Sequence, residues 1–166
     1  MKRIKVINEP TELVPMLRSL DSPIKREVFN AVSKEWVTLN DIEDKFGKEG
    51  KEALEFFEKM KLVETMWQTT DNNTQEKAYH TYYMSFHINT SCPIQEISEI
   101  LAVAVMPNKE FNKVEKAIMD LIGNDGMFAG DVSEQKELSM TMLKSLVKRS
   151  TKLEYRGHRV EMVKDE

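Results

Sequence analysis

The strongest constraint on this chain is a change of hydrophobic period that occurs twice, each time from helical spacing to strict alternation. The clearer case is at the C-terminal end. Between Ser139 and Arg149, Met140, Leu143, Leu146 and Val147 fall on one side of a helix, and Thr141, Lys144, Ser145 and Lys148 on the other. Leu153 to Val163 then reads as a tight hairpin whose tip carries Arg156, Gly157, His158 and Arg159. A looser version of the same order runs from Thr38 to Asn89. A short cationic helix followed at once by a basic-tipped ribbon presents charge and backbone together, which suits a regulator better than an enzyme.

Punctuation along the chain places the other elements. Pro10 opens a helical segment with Leu13, Met16, Leu17 and Leu20 inward, expected to stand in front of the first unit. Asp21, Ser22 and Pro23 supply a cap and a first-turn proline for a helix burying Ile24, Val28, Ala31 and Val32. Thr38 with Asp41 starts a two-turn helix on Leu39, Ile42 and Phe46, which Gly47 ends. Ala53, Leu54, Phe57 and Met60 mark the next helix. Val63 to Thr69 reads as a strand, 70–75 as a polar loop, and Tyr82, Met84, Phe86 and Ile88 as one face of the returning strand. Pro93 restarts helix as far as Pro107, and a second apolar helix runs from Phe111 to Ile122, closed by Gly123. A short extended piece at Met127 and Phe128, a brief helix over 132–138, and the C-terminal helix and hairpin complete the chain.

The order helix, extended piece, short helix, longer helix, hairpin thus occurs near 23–89 and again near 109–163. The expected fold is mainly α with small β-hairpins (α+β), a tandem winged helix-turn-helix. Residues 1–90 form the first domain, 91–107 a connecting helix and 108–166 the second domain.

A chain of 166 residues can bury one good core or two small ones. With 40% hydrophobic and 31% charged residues it has the balance of an ordinary globular protein, so wholesale disorder is unexpected. No apolar run approaches the roughly 18 residues that span a bilayer, and the first residues are charged too soon for a signal peptide. A single cysteine excludes an intrachain disulfide and any multi-cysteine zinc site. A cytoplasmic protein with no membrane partner is expected. The net charge of −4 is unevenly spread. From Lys136 to Lys164 there are eight Lys or Arg against three Glu, whereas the first 89 residues hold thirteen basic and fifteen acidic groups. Phosphate binding depends on local cations, because each neutralised phosphate releases a counterion.

Residues 13–89 resemble the DNA-binding core of ArsR-type winged-helix repressors, in an archaeal-looking version rich in methionine and lysine. The stretches 20–29 (LDSPIKREVF), 37–46 (VTLNDIEDKF) and 54–63 (LEFFEKMKLV) carry the likeness. The resemblance implies a dimeric transcription regulator with helix 48–60 in the major groove. Two features depart from the family. The outward face of that helix is Lys48, Lys51, Glu52, Glu55 and Lys59, whose glutamates oppose phosphate unless one accepts from a cytosine amine. The paired cysteines of metal-sensing members are missing near the third helix.

The DNA-binding candidates are therefore Thr141, Lys144, Ser145, Lys148, Arg149, Arg156, His158 and Arg159 in the second unit. Lys48, Lys51, Asn73 and Lys77 are those of the first. A solvated charged helix and an ordinary polar turn are the plainer readings of the same residues. His80 and His87, seven positions apart, point to opposite faces of one strand, so with Cys92 they make a poor metal site. His80 is expected on the partly buried face with Tyr82. Cys92, before Pro93 at a predicted helix start, is a candidate one-cysteine redox switch or a small apolar residue beneath a helix. Tyr79, Tyr82, Tyr83 and Phe86 lack the interleaved cations of a single-strand binder and read as packing residues. The apolar helix at 93–106 is either sandwiched between the two winged units or paired across a dimer axis, and with helix 11–20 it offers more apolar surface than two small domains need, which points to a homodimer. No phosphate loop, nucleophile motif or metal spacing is present, so no catalytic residues, metal or cofactor are expected. The sequence supports a DNA-binding transcriptional regulator. A protein-interaction module contacting transcription machinery or a partner subunit is the alternative.

Overall fold

The structure, a computed structural model, describes residues 3–164. In chain order the elements are β1 (Ile4–Ile7), a 3-10 turn (Pro10–Glu12), α1 (Leu13–Arg18), α2 (Pro23–Lys34), β2 (Val37–Thr38) and α3 (Leu39–Lys59). Then come β3 (Val63–Thr69), β4 (Gln75–Thr81), β5 (Ser85–Ile88), α4 (Ile94–Val105) and α5 (Asn108–Ile122). The chain ends with β6 (Met127–Phe128), α6 (Ala129–Gln135), α7 (Met140–Arg149), β7 (Leu153–Arg156) and β8 (Arg159–Met162). They form two compact units, one from residues 1–7 and 19–89, the other from 8–18 and 90–166.

The first unit is built on local signals that the sequence states openly. Ser22 Oγ accepts from the Lys25 amide at 3.2 Å, and Pro23 sits in the first turn of α2. Thr38 and Asp41 cap α3 reciprocally, each backbone amide reaching the other's side chain at 3.1 Å. Gly47, at φ 65° and ψ −155°, breaks α3 into two helical halves. Val28 and Val32 of α2 meet Ile42, Leu54 and Phe57 of α3 in the core, where the Phe29 and Phe57 rings stand edge to face at 5.8 Å. The end of α3 is capped by Lys61 in the left-handed region (φ 57°), with Leu62 N–H bonded to Phe57 O and Lys61 N–H to Glu58 O, both at 2.9 Å.

The returning strand differs from the expectation. β4 ends at Thr81, whose hydroxyl donates to Tyr83 O at 2.7 Å, and the chain then leaves the hairpin. β5 instead pairs in parallel with β1, Ile4 opposite Ser85 and Ile7 opposite Ile88. Tyr82 to Ile88 therefore do not share one strand face. Tyr82 and Met84 lie in a bend outside either sheet, and only Phe86 and Ile88 enter β5.

The second unit repeats the order of the first. Strands β2, β4 and β3 lie side by side in that order, and so do β6, β8 and β7. Each set follows a helix and encloses two more, α3 in its two halves or α6 with α7. Gly126, at φ 74°, has room for no side chain, since a Cβ would come within 2.8 Å of Val160 O. Leu143, Leu146 and Val147 of α7 pack with Ile118, Val132, Leu153 and Val160.

The division of the chain departs from the expected boundaries. The 3-10 turn and α1 belong to the second unit, and so does α4, which packs against α7 and α1. Val14 of α1 and Ile100 and Val103 of α4 join the same core. What looked like a leading helix and a connector is a layer laid over α7.

Arg149 fastens that layer. It is 5% exposed, and its guanidinium donates to Val103 O and Met106 O at 2.7 Å each and to Asn108 Oδ1 at 3.0 Å. It also lies 4.3 Å above the centre of the Phe111 ring. Oxygens at the end of α4 and the start of α5 thus meet at one cation supplied by the last turn of α7. Arg149→Met should cost about 3 kcal/mol, because it leaves buried acceptors unsatisfied, and Arg149→Lys should recover less than half, lacking the fork. Denaturant unfolding followed by circular dichroism checks both.

Candidate nucleic-acid interface

The second half of α3 turns Gly50, Ala53, Leu54, Phe56 and Phe57 inward, since they recur at helical spacing. Outward stand Lys48, Glu49, Glu52 and Glu55, with Lys51 half-buried at the flank. The Lys48 side chain is 87% exposed and its Nζ lies 3.5 Å from Glu52 Oε1. Such a helix offers donors and acceptors in alternation rather than a field of one sign. Beside it runs the β3–β4 hairpin. Trp67, opposite Lys77 in the register, is 67% exposed. Lys77 is held back by an ion pair with Glu58 and lies 5.6 Å from the centre of the Tyr79 ring. Asn73 takes the left-handed position of the tip (φ 59°), its N–H bonded to Thr70 O at 2.9 Å.

The cationic set of the second unit is placed differently from its sequence reading. Ser145 is fully buried and Arg149 nearly so, which corrects both as surface contacts. Helical spacing put Ser145 opposite Leu143 and Leu146, yet both sides of α7 are buried there. The face that Ser145 and Arg149 occupy is covered by α4, α1 and the 3-10 turn. Met140, expected inward, is 41% exposed. Thr141 and Lys148 are half-buried, and Lys144 Nζ stands 4.0 Å from Glu9 Oε1. At the hairpin, Arg156 pairs with Glu154 at 2.9 Å and lies 3.7 Å from Glu161. Arg159 is 3.8 Å from Glu161, donates to Asp125 O at 3.1 Å and covers the exposed Phe128 ring at 5.1 Å. His158 is exposed. The tip is charged, but its arginines already face carboxylates.

The remaining candidates resolve into packing. His80 and His87 lie on different strands of different sheets, β4 and β5. His80 stacks on Trp36 at 5.3 Å and faces Glu64 at 3.6 Å, rather than sharing a face with Tyr82. Cys92 is half-buried against the core of the second unit. Among the described residues no three His, Cys, Asp or Glu side chains converge to hold a metal ion. No helix among them is long and apolar enough to cross a membrane. Sequence reasoning missed Trp67. Its signal was available: it shares a strand face with Val63 but lies beyond the core that Val63 enters.

A family model for ArsR transcriptional regulators matches residues 7–164. The chain belongs to this family of transcription regulators, and the match runs through both units, well past the 13–89 in which the resemblance was visible. No curated protein matches the chain.

Two tyrosines, one in each unit, titrate late. Burial, then Glu58 and Glu55, pushes the Tyr79 hydroxyl up to about 12, and burial, then Glu9, does the same for Tyr155. Both folded values lie above the unfolded value near 10, so their contribution is complete below about pH 10 and is lost as pH rises towards 12. Absorbance at the phenolate band should show two of the four tyrosines ionising late. Tyr79→Phe should flatten the alkaline fall in unfolding midpoint, while an unchanged fall would show that Tyr79 does not contribute to it.

Proposed function

We propose that the chain is a tandem winged helix-turn-helix regulator that binds double-stranded DNA as a homodimer, with the second half of α3 as its reading helix. The observation that carries this is the contrast between the two repeats. The second half of α3 is open along its outer face, whereas α7 is covered by the chain's own helices. Lys48 and Lys51 supply the phosphate contacts, and Asn73 and Trp67 approach the backbone from the hairpin. Glu52 and Glu55 repel phosphate and accept hydrogen bonds from cytosine amines, so affinity depends on sequence and non-specific binding is weak. The second unit works mainly as the assembly module.

The dimer reading rests on α4. Ile94 (88%), Leu101 (49%) and Val105 (75%) are exposed along it. Their spacing makes one apolar stripe, the surface that a second copy would bury. Light scattering at micromolar concentration should give twice the chain mass, and Leu101→Glu with Val105→Glu should return it to the monomer. A monomer mass for the wild type ends the dimer proposal.

DNA binding is tested by comparing two double mutants on the same duplexes. Lys48→Ala with Lys51→Ala should abolish measurable binding or reduce the log–log salt slope by about one to two units. Arg156→Ala with Arg159→Ala should change it less, since those arginines are already paired. Trp67 fluorescence should respond to duplex. The reverse ranking would make the second hairpin the phosphate contact. Absence of wild-type duplex binding at low salt would favour a protein-interaction module, which the outward glutamates suit.

A further inference from the structure

We propose that the first unit holds a binding pocket for a small, uncharged, apolar ligand about the size of one aromatic ring, and that its occupancy acts on the C-terminal cap of α3. The cavity has a volume of about 130 Å³. Leu20, Phe29, Leu62, Tyr83, Met84 and Phe86 form most of its wall, and Ser19 and Ser85 complete it. Among the described residues that line it, none carries a charge. The wall offers hydroxyls from Ser19 and Ser85 but no opposite charge to offset the lost hydration of an ion, so it favours an uncharged ligand. A dry apolar cavity of about 150 Å³ holds a benzene molecule, which sets the scale of the occupant. Leu20 and Met84 are 38% and 47% exposed, so the cavity opens to solvent beside them and a ligand can enter without unfolding the unit.

Three wall residues bear on the end of the helix proposed to read DNA. Leu62 closes its cap, through the N–H bond to Phe57 O. Phe29 meets the ring of Phe57, which is fully buried in α3. Tyr83 lies 5.4 Å beneath Lys5 Nζ, and that amine donates to Met60 O at 2.8 Å. The cap itself is built on Lys61 in a conformation that a residue with a side chain adopts at some cost. A ligand touching Leu62, Phe29 and Tyr83 therefore changes the balance between a closed and a frayed helix end. It can do so only as far as it binds the two states unequally. The pocket is independent of the functional reading above. Its use as an effector site rests on that reading.

The test uses the full chain and two probes, toluene and benzene. Methyl resonances of Leu62 and Met84 should shift saturably with a Kd of roughly 0.1–1 mM, the range open to so few atoms. Met84→Trp should fill the mouth and weaken binding at least tenfold, while Met84→Leu should keep it. Leu20→Trp serves the same purpose should Met84→Trp not fold. Amide exchange at Lys61 and Leu62 should slow severalfold with ligand in the wild type and not in the filled variant. This readout needs no DNA, so it stands or falls apart from the proposed function. No saturable shift with either probe, or equal binding by a folded filled variant, overturns the pocket. Binding with unchanged exchange at Lys61 and Leu62 overturns the action on the cap.

Discussion

The buried guanidinium of Arg149 is the polar contact on which the layering of the second unit depends. It gathers the last carbonyls of α4, the first side chain of α5 and the end of α7 around one charge. A planar, weakly hydrated fork does this where an ammonium could not, because it directs several donors at once from a buried position. With α4 fastened there, α7 has protein on both sides. Near it Ser150 serves a similar end, accepting from the amides of Lys152 and Leu153 at 3.0 Å each and donating to the buried carboxylate of Glu115. The second unit invests its polar groups inward.

The first unit does the opposite. Its core is apolar, its caps are local, and its ionised groups stand on the outside of α3 with both signs present. Lys48 leans on Glu52 and Lys77 on Glu58, so the cations nearest the hairpin are partly neutralised before any partner arrives. Exposed pairs of this kind contribute little to stability. A surface of mixed sign attracts polyanions weakly, and any selectivity it has comes from the placement of individual donors and acceptors.

Much of this was legible in the sequence wherever the determinant was local. Thr38 with Asp41, Ser22 before Pro23, and Gly47 each fixed a helix boundary through chemistry confined to a few residues. The C-terminal hairpin followed from alternation around a turn, and so did the first strand, β3, of the other. The failures share another cause. Ser145 and Arg149 are polar at helical spacing, which marks them as a separate face of α7 but says nothing of what covers that face. The covering comes from residues 10–18 and 94–105, far away in sequence. The departure of 82–88 from the hairpin was hidden for the same reason, since Ser85–Ile88 pair with β1, which is remote in sequence. Periodicity reports sidedness; remote contact decides exposure. Trp67 is the converse, an apolar residue at an inward position that outruns its core.

The interleaved path of the chain also bears on how it is made. α1 leaves the ribosome early, yet the helices that bury Val14 are encoded some 80 to 130 residues later, several seconds of synthesis at about 5–20 residues per second. During that interval residues 19–89 can close into a unit while the preceding segment waits with its apolar side uncovered. The gap between early and late pieces also adds loop-closure entropy to the assembly of the second unit. The nascent chain therefore carries a temporary sticky segment until α4 and α7 have been made.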